Sequence, residues 1–188
     1  MKKKSLALVL ALAMIVVCVV GGTLAWLTAT TGSVTNTFTH GDINITLAES
    51  ENLDLKMIPG YTITKDPKVT VLAGSEKCYL FVKVDKSANF DTFMTCTIAT
   101  GWTQGDGTDI PSNVYYREVE TSTDNQEFAV LKNDQVTVRG DVTKTMLNGL
   151  TEATQPTLTF TAYACQYNSS NGTSFAPADA WAKVNPTT

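Results

Sequence analysis

Along residues 43–47, Ile43, Ile45 and Leu47 alternate with Asn44 and Thr46. That period of two marks a strand with one buried face and puts the three apolar residues together against a core. The same reading predicts strands at 69–71, 78–84, 114–119, 127–131, 135–138 and 157–167, all rich in Val, Thr, Phe and Tyr. In the second of these, Cys78, Leu80, Val82 and Val84 share one face. Tyr79 and Phe81 share the other, so both faces need cover. Pro59-Gly60, Asp66-Pro67, Gly105-Asp106-Gly107 and Asn133-Asp134 punctuate the strands as turns. Short helices are expected over 89–94, over 142–148 with Asp141 as N-cap, and over 177–183. Many short strands and few helices predict an all-β fold, an antiparallel β-sandwich over residues 40–188.

A different pattern precedes it. Lys2, Lys3 and Lys4 lead into an apolar run over 6–20, Gly21-Gly22 breaks it, and Thr23-Leu24-Ala25 offers small residues at the −3 and −1 positions of a cleavage site. Residues 1–25 are therefore expected to be a secretory signal peptide cut between Ala25 and Trp26. The alternative is an uncleaved anchor, because residues 6–27 are almost all apolar; the Gly-Gly break and the small-residue tail favour cleavage. Val17 before Cys18 departs from a lipobox, which argues against lipidation. Residues 174–188, SFAPADAWAKVNPTT, carry neither a hydrophobic tail nor an LPxTG-type sorting signal, so the cleaved chain is expected to leave the membrane. Behind the cut, residues 26–39 contain no Lys, Arg, Asp or Glu and form an extended, threonine-rich arm.

Charge narrows the partners. The chain has 14 Lys+Arg against 18 Asp+Glu; losing the three leader lysines leaves 11 against 18, a net −7. That disfavours nucleic acid and anionic lipid, both of which need clustered Lys and Arg. Cys78, Cys96 and Cys165 are widely spaced and lack any CxxC or Cys/His pattern, so a zinc site is not expected. They either stay reduced as small apolar residues or supply one disulfide among the three possible pairs.

Catalytic chemistry finds little footing. His40 is the one histidine, so a Ser-His-Asp or Cys-His arrangement would have to use it, and it sits in a loop beside Gly41-Asp42. The acidic stretch 105–109 lacks the alternating ligands and terminal Glu of an EF-hand and reads as a solvated turn. Arg139-Gly140-Asp141 spells an integrin-binding tripeptide but sits where turn punctuation is ordinary. Asn44, Asn168 and Asn171 begin glycosylation sequons. No enzyme, cofactor or metal site is expected.

Residues Gly21, Gly22, Thr23, Ala25, Trp26 and the run Asn36-Thr37-Phe38-Thr39, followed by Gly41-Asp42-Ile43 and Ile45, resemble the TasA/camelysin (CotN-like) family of Gram-positive bacteria. Segments 57–71, 78–84 and 156–164 look like the β-domain of that family. The resemblance implies a signal peptide removed by the dedicated signal peptidase SipW and a jelly-roll-like β-sandwich. It also implies secretion to the extracellular matrix or cell surface and polymerisation into biofilm fibres, alone or with related matrix subunits. In TasA-type fibres the N-terminal segment enters the next subunit as a strand, which implies self-association through Trp26, Leu27, Val34 and Phe38. Where family members carry an acidic Ser-Asp-Thr-Glu-like segment, this chain has Thr28-Ala29-Thr30-Thr31. A secreted surface-binding or fibre-accessory domain is the second reading. A camelysin-like metalloprotease is the third, and no metal motif supports carrying that activity over.

Overall fold

Alternation becomes structure most directly where β-branched and aromatic residues dominate. In the computed structural model, residues 42–50 and 56–185 are described, and all of them belong to the unit His40–Thr188. Ten strands form: β1 (Ile45–Ala48), β2 (Thr62–Thr64), β3 (Lys68–Val71), β4 (Cys78–Lys86), β5 (Met94–Thr95), β6 (Thr103–Gln104), β7 (Val114–Val119), β8 (Gln126–Ala129), β9 (Gln135–Val138) and β10 (Leu158–Gln166). Three short helices accompany them: α1 (Phe90–Phe93), α2 (Lys144–Asn148) and α3 (Pro177–Val184). The chain is thus mostly β, as the patterning implies. None of the described helices is long and apolar enough to cross a membrane.

The strands make three antiparallel sheets, ordered β1-β3-β8, β10-β4-β7-β6 and β2-β9-β5. Strand β4 is the hub. It pairs with β10 along all nine of its residues and with β7 along six. Its two faces do what the alternation asks. Cys78, Leu80, Val82 and Val84 pack with Val69, Val71, Val119 and Val130 in a core shared with the first sheet. On the opposite face, Tyr79 and Phe81 join Ile110, Val114 and Cys165 beneath α3, whose Ala180 and Trp181 are buried there. A third cluster lies against the small sheet, where Ile63, Val136 and Val138 meet Phe90, Phe93, Leu131 and Val142.

Several expectations are corrected. Ile43 and Ile45 reach the core, but Leu47 is 38% exposed, because β1 is an edge strand whose far end runs beyond the side chains that cover Ile45. The second helix begins at Lys144 rather than 142, and its cap is Thr143, whose side chain accepts the Met146 N–H at 3.3 Å. Asp141 cannot serve as that cap: Arg139 holds its carboxylate through Nε at 3.0 Å and Nη2 at 2.8 Å. The strand expected at 127–131 ends at Ala129. Val130 and Leu131 leave the ladder fully buried, and the chain turns over Asn133 and Asp134 at φ 58° and 52°, a left-handed conformation that Asn and Asp tolerate better than most residues.

The cysteine alternatives resolve. Cys78, Cys96 and Cys165 are all unpaired thiols. Cys165 stands opposite Tyr79 in the β10–β4 register and so shares its face, while Cys78 points to the other side of the sheet. Two side chains on opposite faces of one sheet cannot meet in a disulfide.

One glycine is held by contact rather than by its own dihedral. Gly105 is buried, and a Cβ there would collide with the carbonyl oxygens of Pro111 and Ile110. Gly105→Ala is expected to cost about 1–3 kcal/mol, the range for forcing extra volume into a packed site. Urea denaturation of the variant against the parent protein measures it.

Candidate functional site

The residues singled out for self-association and cleavage, Ala25, Trp26, Leu27, Val34 and Phe38, lie outside the described residues, as does His40. The structure brings the remaining candidates into view one at a time. The stretch 105–109 is an Asx-type turn in which Asp106 Oδ1 accepts N–H bonds from Thr108, Asp109 and Ile110 at 2.9, 3.0 and 3.1 Å. Those bonds favour the ionised form and hold its pKa below the ordinary Asp value. Asp106 therefore supports the loop above the ordinary carboxylate pKa, and that support fades as the pH falls through its lowered value. The Arg139-Gly140-Asp141 tripeptide is closed on itself by its fork, not splayed. Among the described residues, no group of three or more His, Cys, Asp or Glu is placed to hold a metal.

The feature with a chemical capacity of its own is the outer edge of β10. An edge strand exposes the N–H and C=O groups that its neighbour does not use. Which residues those are follows from three bonds. Ser87 N donates to Thr157 O at 3.0 Å and Tyr167 N to Lys77 O at 2.9 Å, so the odd-numbered residues of this stretch face β4. On the other side of the hub, Val84 N donates to Asn113 O at 2.8 Å, so the even-numbered residues of β4 face β7. Leu158, Phe160, Ala162 and Ala164 consequently turn their N–H and C=O groups outward, and among the described residues nothing pairs with them. Their side chains lean the other way, half-buried against the central core.

Strand β10 itself carries none of the sequence devices that blunt an edge strand. LTFTAYACQ holds no Lys, Pro or Gly, and the register with β4 runs through nine residues without a bulge. The other edges are shorter or covered. β5 and β6 have two residues each, and β2 has three. The edge of β8 is approached by the segment before β6: Ala99 N donates to Val130 O, and Trp102 Nε1 donates to Ala129 O, both at 2.9 Å.

Beside the start of β10 lies the end of β1, with no ladder between them. A cavity of about 260 Å³ opens there, lined by Leu47, Ala48, Leu158 and Phe160. Lys65 marks the limit of the open stretch. Its ammonium sits 5.7 Å from the centre of the Phe160 ring and pairs with Glu49 at 2.8 Å.

Sequence reasoning found β10 as a strand but not this property. Alternation tells which side chains face inward, whereas an open backbone edge depends on which strands arrive as neighbours. Comparison with known protein families, with characterised proteins and with solved structures finds no match for this chain.

Proposed function

We propose that this is a secreted structural subunit of extracellular matrix or cell-surface fibres. Subunits join when the N-terminal arm of one copy, residues 26–39, adds as a strand to the sheet of the next. The observation that carries the reading is the nine-residue edge of β10, unbulged and uncharged along its length. Strand addition draws affinity from main-chain hydrogen bonds and specificity from alternate side chains. Each bond made by an outward-facing group contributes a net ~0.5–1.5 kcal/mol. The arm suits the role: it is uncharged, and Trp26, Leu27, Val34 and Phe38 supply apolar anchors. The jelly-roll-like connectivity of the sandwich, removal of residues 1–25 by a SipW-type signal peptidase, and residence outside the cell belong to the same proposal. So does partnership with further copies or related matrix subunits.

Release of the arm comes first. N-terminal sequencing of secreted material is expected to begin at Trp26; a start before Gly21, or a full-length membrane-bound form, overturns the cleavage. Protein starting at Trp26 is expected to form filaments under the electron microscope and to elute as polymer from a sizing column, while protein starting at His40 elutes as folded monomer. Equal polymerisation by both removes the arm as the joint.

A further inference from the structure

Away from β10, the inner face of β6 and β7 carries two rows of side chains. Gln104 stands opposite Tyr115 in the β6–β7 register, and one row further on Trp102 lies beside Arg117. Residues two apart on a strand are about 6.6–7 Å apart, so the rows are one sugar ring's width from each other. A cavity of about 650 Å³ opens at the first row, lined by Tyr115, Gln104, Lys86, Thr97, Ser112 and Asn113. That is room enough for a small ligand.

The polar groups here are held in place. Gln104 Nε2 donates to Ser112 O at 2.7 Å and Asn113 Nδ2 to Asp85 Oδ1 at 2.9 Å, which leaves both amide oxygens as fixed acceptors for hydroxyl groups. Asp85, the acidic residue of the lining, is already engaged by Asn113 and by Lys83 at 3.1 Å. A pair of opposed carboxylates, which glycoside cleavage requires, does not line the cavity.

The second row carries a cation without a counter-ion. Arg117 Cζ lies 4.0 Å from the centre of the Phe128 ring and 5.5 Å from that of Trp102. Its Nε is buried with no hydrogen-bond partner, and among the described residues no carboxylate pairs with it. Burial, with no opposing charge, pulls its pKa down. Gly101, at φ +89°, runs beside the guanidinium: a Cβ there would lie 3.4 Å from both Nη atoms and 3.6 Å from Cζ, in ordinary contact. A half-buried cation held between rings, with its Nη atoms not among the buried unpaired groups and no described carboxylate beside it, is placed to take an anion from outside.

We propose that this strip binds an acidic oligosaccharide, with one ring stacked on Tyr115, its hydroxyls on the amide oxygens of Gln104 and Asn113, and a uronate carboxylate one row on, forked by Arg117. The site binds the saccharide and does not cleave it. A sugar has an apolar ring face and a fringe of hydroxyls, which match an aromatic side chain and rigid amides; the uronate supplies the anion that the guanidinium lacks.

Calorimetric titration of the purified secreted protein with trigalacturonate tests the assignment, with neutral galactotriose and triglutamate alongside. Trigalacturonate is expected to bind, and galactotriose to bind ~tenfold more weakly or worse, the loss expected for a charge-assisted fork. Arg117→Lys keeps the charge but loses the fork, and is expected to weaken trigalacturonate by a similar ~tenfold factor. Gln104 is exposed, so Gln104→Ala preserves the fold and is expected to weaken both saccharides alike. No binding of trigalacturonate overturns the proposal. So does equal binding of triglutamate, which would make the strip a general acidic-peptide site, or full affinity in both variants.

Discussion

If subunits join by strand addition at β10 as proposed, Ala162→Pro is expected to yield a folded protein that does not form filaments, whereas Thr161→Pro, one residue earlier, is expected to damage the fold itself. The contrast follows from the direction of two N–H groups. Ala162 turns its N–H to the outer edge of β10, so proline removes a donor that no described residue uses. Thr161 stands opposite Lys83 and turns its N–H toward β4. Its loss leaves a carbonyl unpaired inside the sheet, at a cost of about 1–3 kcal/mol for the stranded acceptor, plus the strain of the ring. Electron microscopy separates the assembly phenotypes, and thermal melting of the two variants separates the folding ones. Filaments from Ala162→Pro at the parent's rate would show that β10 is not the receiving edge. A stable Thr161→Pro variant would overturn the assignment of which groups face outward.

Phe81→Ala is expected to give the largest loss of stability of any single truncation beneath α3. Phe81 is fully buried at the centre of the outer face of β4, with ring centroids 5.3 Å from Trp181, 6.0 Å from Tyr116 and 6.2 Å from Tyr79. Removing a buried Phe side chain costs about 3–5 kcal/mol, combining lost transfer energy with the cavity left behind. At about 2–4 °C per kcal/mol for a domain of this size, the melting temperature should fall by roughly 6–20 °C. The neighbours are large and rigid rings, which limits how far the site can collapse. Differential scanning calorimetry reads the shift. A drop of under about 2 °C would mean that α3 is not docked on this face in solution.

How much of this was legible beforehand depends on length. Strands β3, β4, β7, β9 and β10 each run four residues or more with Val, Thr, Phe or Tyr in alternation, and period-2 reading finds them within a residue or two. Strands β2, β5 and β6 escape it, because two or three residues cannot display a period; their neighbours in β9 and β7 make them strands. The two-sided burial of β4 was readable because apolar residues occupy both parities, yet nothing local names α3 as the cover on one side. Asp141 was misread as a cap because a carboxylate before a helix satisfies the usual pattern, while Arg139, two residues back, competes for it with a charged fork. The unpaired state of Arg117 is likewise invisible in sequence, since it depends on which carboxylates the fold fails to bring near.

The hub position of β4 also sets the order in which the chain can fold. Strand β4 finds its β7 partner within about forty residues and Val130 of its central-core face within about fifty, but its other edge waits for β10 and its outer face waits for α3, roughly eighty and a hundred residues further along. Contacts so distant in sequence close slowly, because the loop entropy must be spent before the pairing returns anything. Until residues 158–184 have emerged, Tyr79 and Phe81 have only Ile110, Val114 and Tyr116 as neighbours and lack α3, and one edge of β4 has no partner, so a partly synthesised chain has no finished domain to lock. The strand and helix that close the domain are therefore the last to be made, and the hub strand is the last part of the sheet to be sealed on every side.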